Sequence, residues 1–290
     1  MLNQFKNVYE SRWKASINTK DEDILVFENP KTQVEFFYLM YNQYIENIIL
    51  NHFKCLTDVR LLEVGCGRAT SSIYQAKKLG IDITPTDFSE AALAVASKNI
   101  QKYGINADPQ LADIYALPFS DNSFDIVVSL GVMEHIAKAE LAYQEMFRVL
   151  KPGGVVISMN VPEHQNIQKI ATPVNKVLAF IEKLFSGGMS KPWLDKGSQS
   201  KTADVFRADG CAKDFMRHLE NSGFIKVSGS EVNPFPTFSP LPRSLDWLVV
   251  KIYQAILFIR GYVYRDRSSF ECDPHVSRCH FVTGIKSLSK

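Results

Sequence analysis

Between residues 59 and 160, two patterns of hydrophobic and polar positions alternate along the chain. Short apolar runs at 59–64, 81–86 and 124–130 are separated by longer stretches with helical spacing, such as 70–79 and 89–103. Short apolar runs bounded by turn residues are typical of buried strands. Strands that alternate with helices of this length predict a doubly wound, mostly parallel α/β sheet.

The same two patterns predict further elements within this region and after it. We expect a strand ending near Leu111, a helix at 140–150, a turn at 152–154 and a strand at 155–159. After these come predicted helices at 174–185, 212–221 and 244–263, and predicted strands at 224–227 and 280–285. The chain thus divides into an N-terminal helical cap (1–57), a core (58–160), a variable insertion (161–208) and a C-terminal part that completes the sheet (209–290).

Composition narrows the class of protein. The 290 residues are 46% hydrophobic and 22% charged, which excludes a disordered, collagenous or coiled-coil chain. A net charge of +2 gives no reason to expect nucleic acid as a partner. Five cysteines form no disulfide framework, and we find neither a signal peptide nor an apolar run long enough to span a membrane. We therefore expect a cytoplasmic protein.

Candidate binding residues stand where the predicted strands end. Gly65-Cys66-Gly67, Asp87, Asp113 and Ser129 each follow or close a strand, and doubly wound sheets bind ligands at that edge. Asp87 lies 20 residues beyond Gly67, a position from which a carboxylate accepts hydrogen bonds from ribose hydroxyls. This pattern fits a dinucleotide or another adenosine ligand.

Two residues weaken the dinucleotide interpretation. Thr70 stands where a pyrophosphate-binding loop has its third glycine. Glu63 precedes the turn and would repel a pyrophosphate, whereas it suits a positively charged ligand.

Four motifs in register resemble those of class I S-adenosylmethionine-dependent methyltransferases, and most closely the group that includes ubiquinone and menaquinone methyltransferases. The motifs are Glu63 to Gly67, Thr86 to Ser89, Asp113 to Asp125, and Arg148 to Gly154. The resemblance covers residues 58–160 and implies a seven-stranded Rossmann-like sheet. It also implies S-adenosyl-L-methionine as methyl donor, with no metal expected.

The resemblance assigns a role to each candidate. Glu63 and the loop Gly65, Cys66 and Gly67 would hold the methionine moiety, and Asp87 the ribose. The remaining cofactor-binding residues would be Phe88 against adenine, Asp113 and Ile114 at its amino group, and Ser129 and Leu130 beside the transferred methyl group. The sequence departs from the family at Thr84-Pro85-Thr86, where proline cannot donate to a central ladder.

His135 is the candidate catalytic residue. In the family, the segment after the fourth strand lies beside the transferred methyl group. The pKa of a histidine, near 6.5 in the absence of perturbation, suits a base toward a substrate hydroxyl. In the alternative interpretation, His135 and Glu134 cap or pack the start of the next helix.

The regions outside the core would choose the acceptor. The apolar character of 174–185 and 244–263 suggests a small-molecule acceptor that is lipid-linked, quinone-like or a saccharide lipid. These helices would form a lid over the substrate, a peripheral membrane contact or plain packing, and the oligomeric state stays open. The aromatic N-terminus would cap the cofactor, with Tyr9 or Trp13 reaching the pocket. The rival functions are a non-catalytic S-adenosylmethionine-binding protein and a nicotinamide-dependent oxidoreductase.

Overall fold

The apolar runs of the sequence become the strands of one seven-stranded sheet. The structure, a computed structural model, describes residues 8–11, 13–14, 25–162, 167–185, 208, 210–239, 241–263 and 270–288. Within these residues the strands are β1 Arg60–Val64, β2 Asp82–Asp87, β3 Gln110–Leu111, β4 Phe124–Leu130, β5 Leu150–Asn160, β6 Ile225–Val232 and β7 Cys279–Ile285.

The strand order defines the topology. Across the sheet the order is β3-β2-β1-β4-β5-β7-β6. β1 to β5 pair in parallel, while β7 lies antiparallel between β5 and β6. The chain moves outward from β1 through β2 to β3, then returns to the other side of β1 for β4 and β5. The order therefore reverses between β1 and β4, where such sheets bind their ligands.

Helices cover both faces of the sheet. They are α1 Gln33–His52, α2 Thr70–Leu79, α3 Glu90–Lys102, α4 Ala139–Val149, α5 Gln168–Phe185, α6 Ala212–Asn221 and α7 Arg243–Val263. α1 and α3 begin at hydroxyl caps, because Thr32 and Ser89 each accept a hydrogen bond from a backbone N–H of the first turn. None of the described helices is long and apolar enough to cross a membrane.

Successive residues of each strand enter opposite cores, as the pleat requires. Leu61 and Ile126 pack in one apolar core with α1 and α7. Leu62 and Val127 pack in the other core with α4 and α6. Strands buried on both faces explain why the sequence shows continuous apolar runs rather than alternation.

The predicted turn at 152–154 is wrong. Residues 150–160 form one strand, and its register with β4 shifts between Phe124 and Ile126. Four residues of β5 (151–154) stand opposite one residue of β4, so the Pro-Gly-Gly sequence makes a bulge within the strand. Gly154 is required there because a Cβ would lie 2.8 Å from the carbonyl oxygen of Asp125.

Pro85 is accommodated because β3 is short. β3 pairs with β2 only at Thr86 and Asp87, so on that side the described ladder does not reach Pro85. On the other side Pro85 lies opposite Glu63 of β1. A proline is tolerated where one side of a strand is unpaired, which resolves the departure seen in the sequence. The predicted division into four segments stays a prediction.

Candidate functional site

The glycine loop after β1 is tied to the end of β2 by one carboxylate. Asp87 Oδ2 accepts a hydrogen bond from the backbone N–H of Gly67 (2.9 Å), and Asp87 Oδ1 accepts one from Ser89 (3.0 Å). The Cys66 N–H donates to the Thr86 carbonyl at 2.8 Å. The pKa of Asp87 is raised because its side chain is largely buried, although these hydrogen bonds oppose the shift. A carboxylate keeps acceptor capacity beyond two bonds, so Asp87 can still bind ligand hydroxyls.

Both glycines of the loop are required by close contacts as well as by conformation. Gly65 and Gly67 have φ of +73° and +52°, which disfavours any residue with a Cβ. A Cβ on Gly65 would lie 2.5 Å from a methyl carbon of Val132, and one on Gly67 would lie 2.8 Å from the Trp13 ring. The turn after β4 and the N-terminal segment therefore both approach the glycine loop.

Glu63 is a buried carboxyl behind the loop. It is 3% exposed, and both the backbone N–H (3.1 Å) and the hydroxyl of Ser72 donate to its Oε2. The pKa of Glu63 is raised to about 7, mainly by burial and to a smaller extent by nearby Asp87, although the hydrogen bonds from Ser72 oppose the shift. An acidic, weakly solvated group in this position favours a positively charged ligand.

The candidates for the adenine side lie at the ends of β2 and β3. Asp113 Oδ1 accepts from the backbone N–H of Tyr115 at 3.0 Å, which fixes the turn after β3. Ile114 and Phe88 are partly exposed beside this turn and the end of β2, respectively. These residues, like Asp87, lie at the carboxyl edge of the sheet.

Ser129 and Leu130 end β4 with different exposure. The Ser129 side chain is completely buried, whereas Leu130 keeps some exposed surface. Ser129 lies beside Ser158 of β5 in the ladder, on the face that packs against α4. The Ser129 hydroxyl has no hydrogen-bond partner among the described residues.

In the segment after β4, Glu134 and His135 lie in different surroundings. Glu134 is 2% exposed, and its Oε1 accepts from the Val161 N–H at the end of β5 (3.2 Å). The ring of His135 is partly exposed and contacts Tyr9 edge to face, with 5.6 Å between ring centroids. Glu134 therefore anchors the turn, while His135 remains accessible.

The structure brings all the predicted site residues to one edge of the sheet and adds others that the sequence did not indicate. The additions are Ser72, which binds Glu63, and Glu10, whose Oε2 accepts a hydrogen bond from the Ser89 hydroxyl at 2.5 Å. The sequence carries no signal for Glu10, because its contact spans 79 residues and depends on the tertiary fold. Within the described part of the chain, no three acidic, histidine or cysteine residues are grouped to hold a metal ion.

Comparison with known sequences finds a methyltransferase domain and a relative that is named as a methyltransferase. A family model described as a methyltransferase domain matches residues 62–158. A demethylmenaquinone methyltransferase of Listeria welshimeri is 28% identical over 176 residues, which cover 56% of this chain and 73% of that protein. An uncharacterized protein of Haemophilus influenzae is 38% identical over 118 residues, and the match spans only about half (47%) of its length.

Comparison with solved structures supports the fold. The crystal structure of the [4+2]-cyclase SpnF matches with a TM-score of 0.52 and 17% identity over 85% of this chain and 82% of that one. The fold and the site thus define a Rossmann-like α/β protein whose candidate site lies where the strand order reverses. Residues 62–158 match the methyltransferase domain family, and the chain is similar to class I S-adenosylmethionine-dependent methyltransferases of the quinone group.

We predict that Asp87→Ala weakens cofactor binding at least tenfold. The substitution removes charge-assisted hydrogen bonds, each worth about 1.5–3 kcal/mol, and also releases the Gly67 N–H. Titration calorimetry with S-adenosylhomocysteine measures the change. The matched control is Asp82→Ala, at the exposed start of the same strand, which should leave affinity unchanged. Unaltered affinity in Asp87→Ala would remove this residue from the site.

Proposed function

We propose that the protein transfers the sulfonium methyl group of S-adenosyl-L-methionine to a nucleophilic atom of a small acceptor. The observation that carries the proposal is the joining of Asp87, the glycine loop and buried Glu63 at the strand-order reversal. Transfer in line needs no covalent intermediate, so the protein's tasks are positioning, exclusion of water and, for a hydroxyl acceptor, removal of a proton.

The cofactor would lie along the carboxyl edge of the sheet. Its methionine moiety would contact Glu63 and the loop from Gly65 through Cys66 to Gly67, and its ribose would contact Asp87. The adenine and the methyl group would contact the remaining proposed residues, which are Phe88, Asp113, Ile114, Ser129 and Leu130. Burial of Glu63 and Asp87 supports this orientation, because it presents acidic groups where the positive sulfonium would lie.

The test of the cofactor is titration calorimetry of the purified chain with S-adenosylmethionine, S-adenosylhomocysteine and NADH. We expect both sulfur ligands to bind and NADH not to bind. Binding of NADH would instead favour the oxidoreductase interpretation. Radiolabelled methyl transfer into cell extracts and membranes then separates a methyltransferase from a non-catalytic binding protein. The fold alone does not decide the activity, because the structurally similar SpnF is named a [4+2]-cyclase.

We propose His135 as the general base for a hydroxyl acceptor. It follows β4 on the same edge as the glycine loop, and its ring is partly exposed beside Tyr9. His135→Ala should spare the affinity for S-adenosylhomocysteine and lower turnover on the acceptor by about 10²–10⁴-fold. Calorimetry and the methyl-transfer assay measure the two effects. Undiminished turnover would assign His135 a structural role.

We further propose that the acceptor is apolar and lipid-linked, with a quinone-like head group or a saccharide. The supporting feature is the outer surface of α7, where large apolar side chains recur every three or four residues with about half of their area exposed. These residues are Leu245, Leu248, Ile252, Ile256 and Ile259. The relative named demethylmenaquinone methyltransferase favours the quinone-like class for this chain.

A peripheral membrane contact through 174–185 and 244–263 would bring this acceptor to the site. α5 also carries exposed apolar side chains, those of Val174, Val177 and Phe180. The exposed charged residues described on the two helices are Lys169, Lys176 and Arg243, all basic. Asp246 is half-buried and accepts hydrogen bonds from Gln33. An apolar surface with a basic margin suits an anionic lipid surface.

We predict that the chain co-sediments with vesicles that contain phosphatidylglycerol and that the double variant Leu248→Asp, Ile252→Asp reduces this binding at least tenfold. The substitutions place charges on the apolar face without touching the core. Leu141→Asp on α4 is the matched control, since Leu141 is 46% exposed and Leu248 is 48% exposed. A chain that stays in the supernatant but dimerises through this face would contradict the membrane contact.

A further inference from the structure

The N-terminal segment packs against the glycine loop and the end of β2. Residues 8–11 and 13–14 are helical, and three of their side chains contact three different parts of the site. Trp13 contacts Gly67, Glu10 contacts Ser89, and Tyr9 contacts both Phe88 and His135. We call residues 8–11 and 13–14 the strap. Its contacts join elements that are more than 50 residues away in the sequence.

Trp13 fits a space that only glycine leaves open. The position of a Cβ on Gly67 would be 2.8 Å from Cζ2 and 3.0 Å from Cη2 of the indole. The guanidinium carbon of Arg68 lies 5.8 Å from the centroid of the Trp13 ring, within the range of a cation–π contact. The indole therefore packs against the loop that would hold the methionine moiety.

Glu10 brings a further carboxylate to the ribose side. Its Oε2 accepts from the Ser89 hydroxyl, while the Ser89 backbone N–H donates to Asp87. The Glu10 charge is close enough to contribute to the raised pKa of Asp87, after the larger effect of burial. Two neighbouring carboxylates repel each other unless a ligand supplies donors or positive charge between them.

Tyr9 completes a group of three rings. Its centroid is 6.3 Å from that of Phe88 and 5.6 Å from that of His135, both in edge-on geometry. Ring faces attract cations and stack on planar bases. The strap thus offers two aromatic rings and a carboxylate, a set that matches a sulfonium, an adenine and hydroxyl donors.

We infer that the strap is a wall of the cofactor site, in which Tyr9, Glu10 and Trp13 contact the bound cofactor and close over it. This inference rests on the proposed function. It assigns a part in cofactor affinity to three residues outside the matched methyltransferase domain. It extends the expectation for Tyr9 or Trp13 to both rings and adds Glu10.

Calorimetry with S-adenosylhomocysteine tests the inference on the full chain. We expect Trp13→Ala and Glu10→Gln each to weaken binding by roughly five- to tenfold, with unchanged circular dichroism. The matched control is Ser11→Ala, because Ser11 is exposed and its hydroxyl donates to Val8 within the strap. Full affinity in both Trp13→Ala and Glu10→Gln would overturn the inference.

A spectroscopic readout follows the strap directly. The variant Trp193→Phe, Trp247→Phe leaves Trp13 as the only tryptophan, since the chain has three. S-adenosylhomocysteine should reduce acrylamide quenching of Trp13 and saturate at the calorimetric Kd. Calorimetric binding with unchanged or increased quenching would overturn closure of the strap. Absence of binding in the unmodified chain would overturn the proposed function itself, which is a distinguishable result.

Discussion

The candidate site depends on the two hydrogen bonds that Asp87 accepts. One comes from the glycine loop after β1 and the other from Ser89, the N-cap residue of α3, so a single carboxylate joins the ends of two neighbouring strands. Ser89 extends this junction, because its hydroxyl binds Glu10 of the strap. The side chain proposed to bind ribose is therefore also the one that sets the loop geometry. Ligand recognition and local structure are not separable at this position.

The buried carboxyl groups of the site lower the stability of the unliganded fold as the pH rises toward neutrality. Burial raises the pKa of Glu63 to about 7 and also raises the pKa of Asp87. A carboxyl whose pKa rises on folding contributes stability below its unfolded pKa, near 4.5 for Glu63, and that stability is lost as pH increases toward 7. A cationic ligand would stabilise the ionised form and offset this loss. The arrangement is thus better suited to a sulfonium than to a polyphosphate.

Much of the fold follows from the sequence because the parallel strands carry their own signal. The prediction of β4 at 124–130 and of helices at 70–79 and 212–221 is confirmed. The predicted ends of strands are wrong where pairing with a distant strand sets the end. β6 continues to Val232 because β7 pairs with it as far as Cys279. The strand β5 begins at Leu150 because Leu150 pairs with Phe124 of β4, and because Gly153 and Gly154 form backbone hydrogen bonds with Lys286.

The site was predictable only where a motif marks a strand end. Glu63, Asp87 and Asp113 stand at fixed places relative to their strands, so a pattern can find them. Ser72 and Glu10 contribute through side-chain hydrogen bonds that form only in the folded chain, and no sequence motif marks these two residues.

The helices α5 and α7, which are proposed to select the acceptor, are held by hydrogen bonds that do not involve their exposed side chains. Gln168 and Asn175 of α5 both donate to the Thr237 carbonyl, and Tyr253 of α7 donates to the Pro236 carbonyl. Gln33 of α1 donates to the carbonyl of Phe238 in the same segment. Because these bonds end on backbone groups of 236–239, they do not constrain the exposed side chains of either helix. A surface suited to another acceptor could thus arise on the same scaffold without altering the cofactor edge of the sheet.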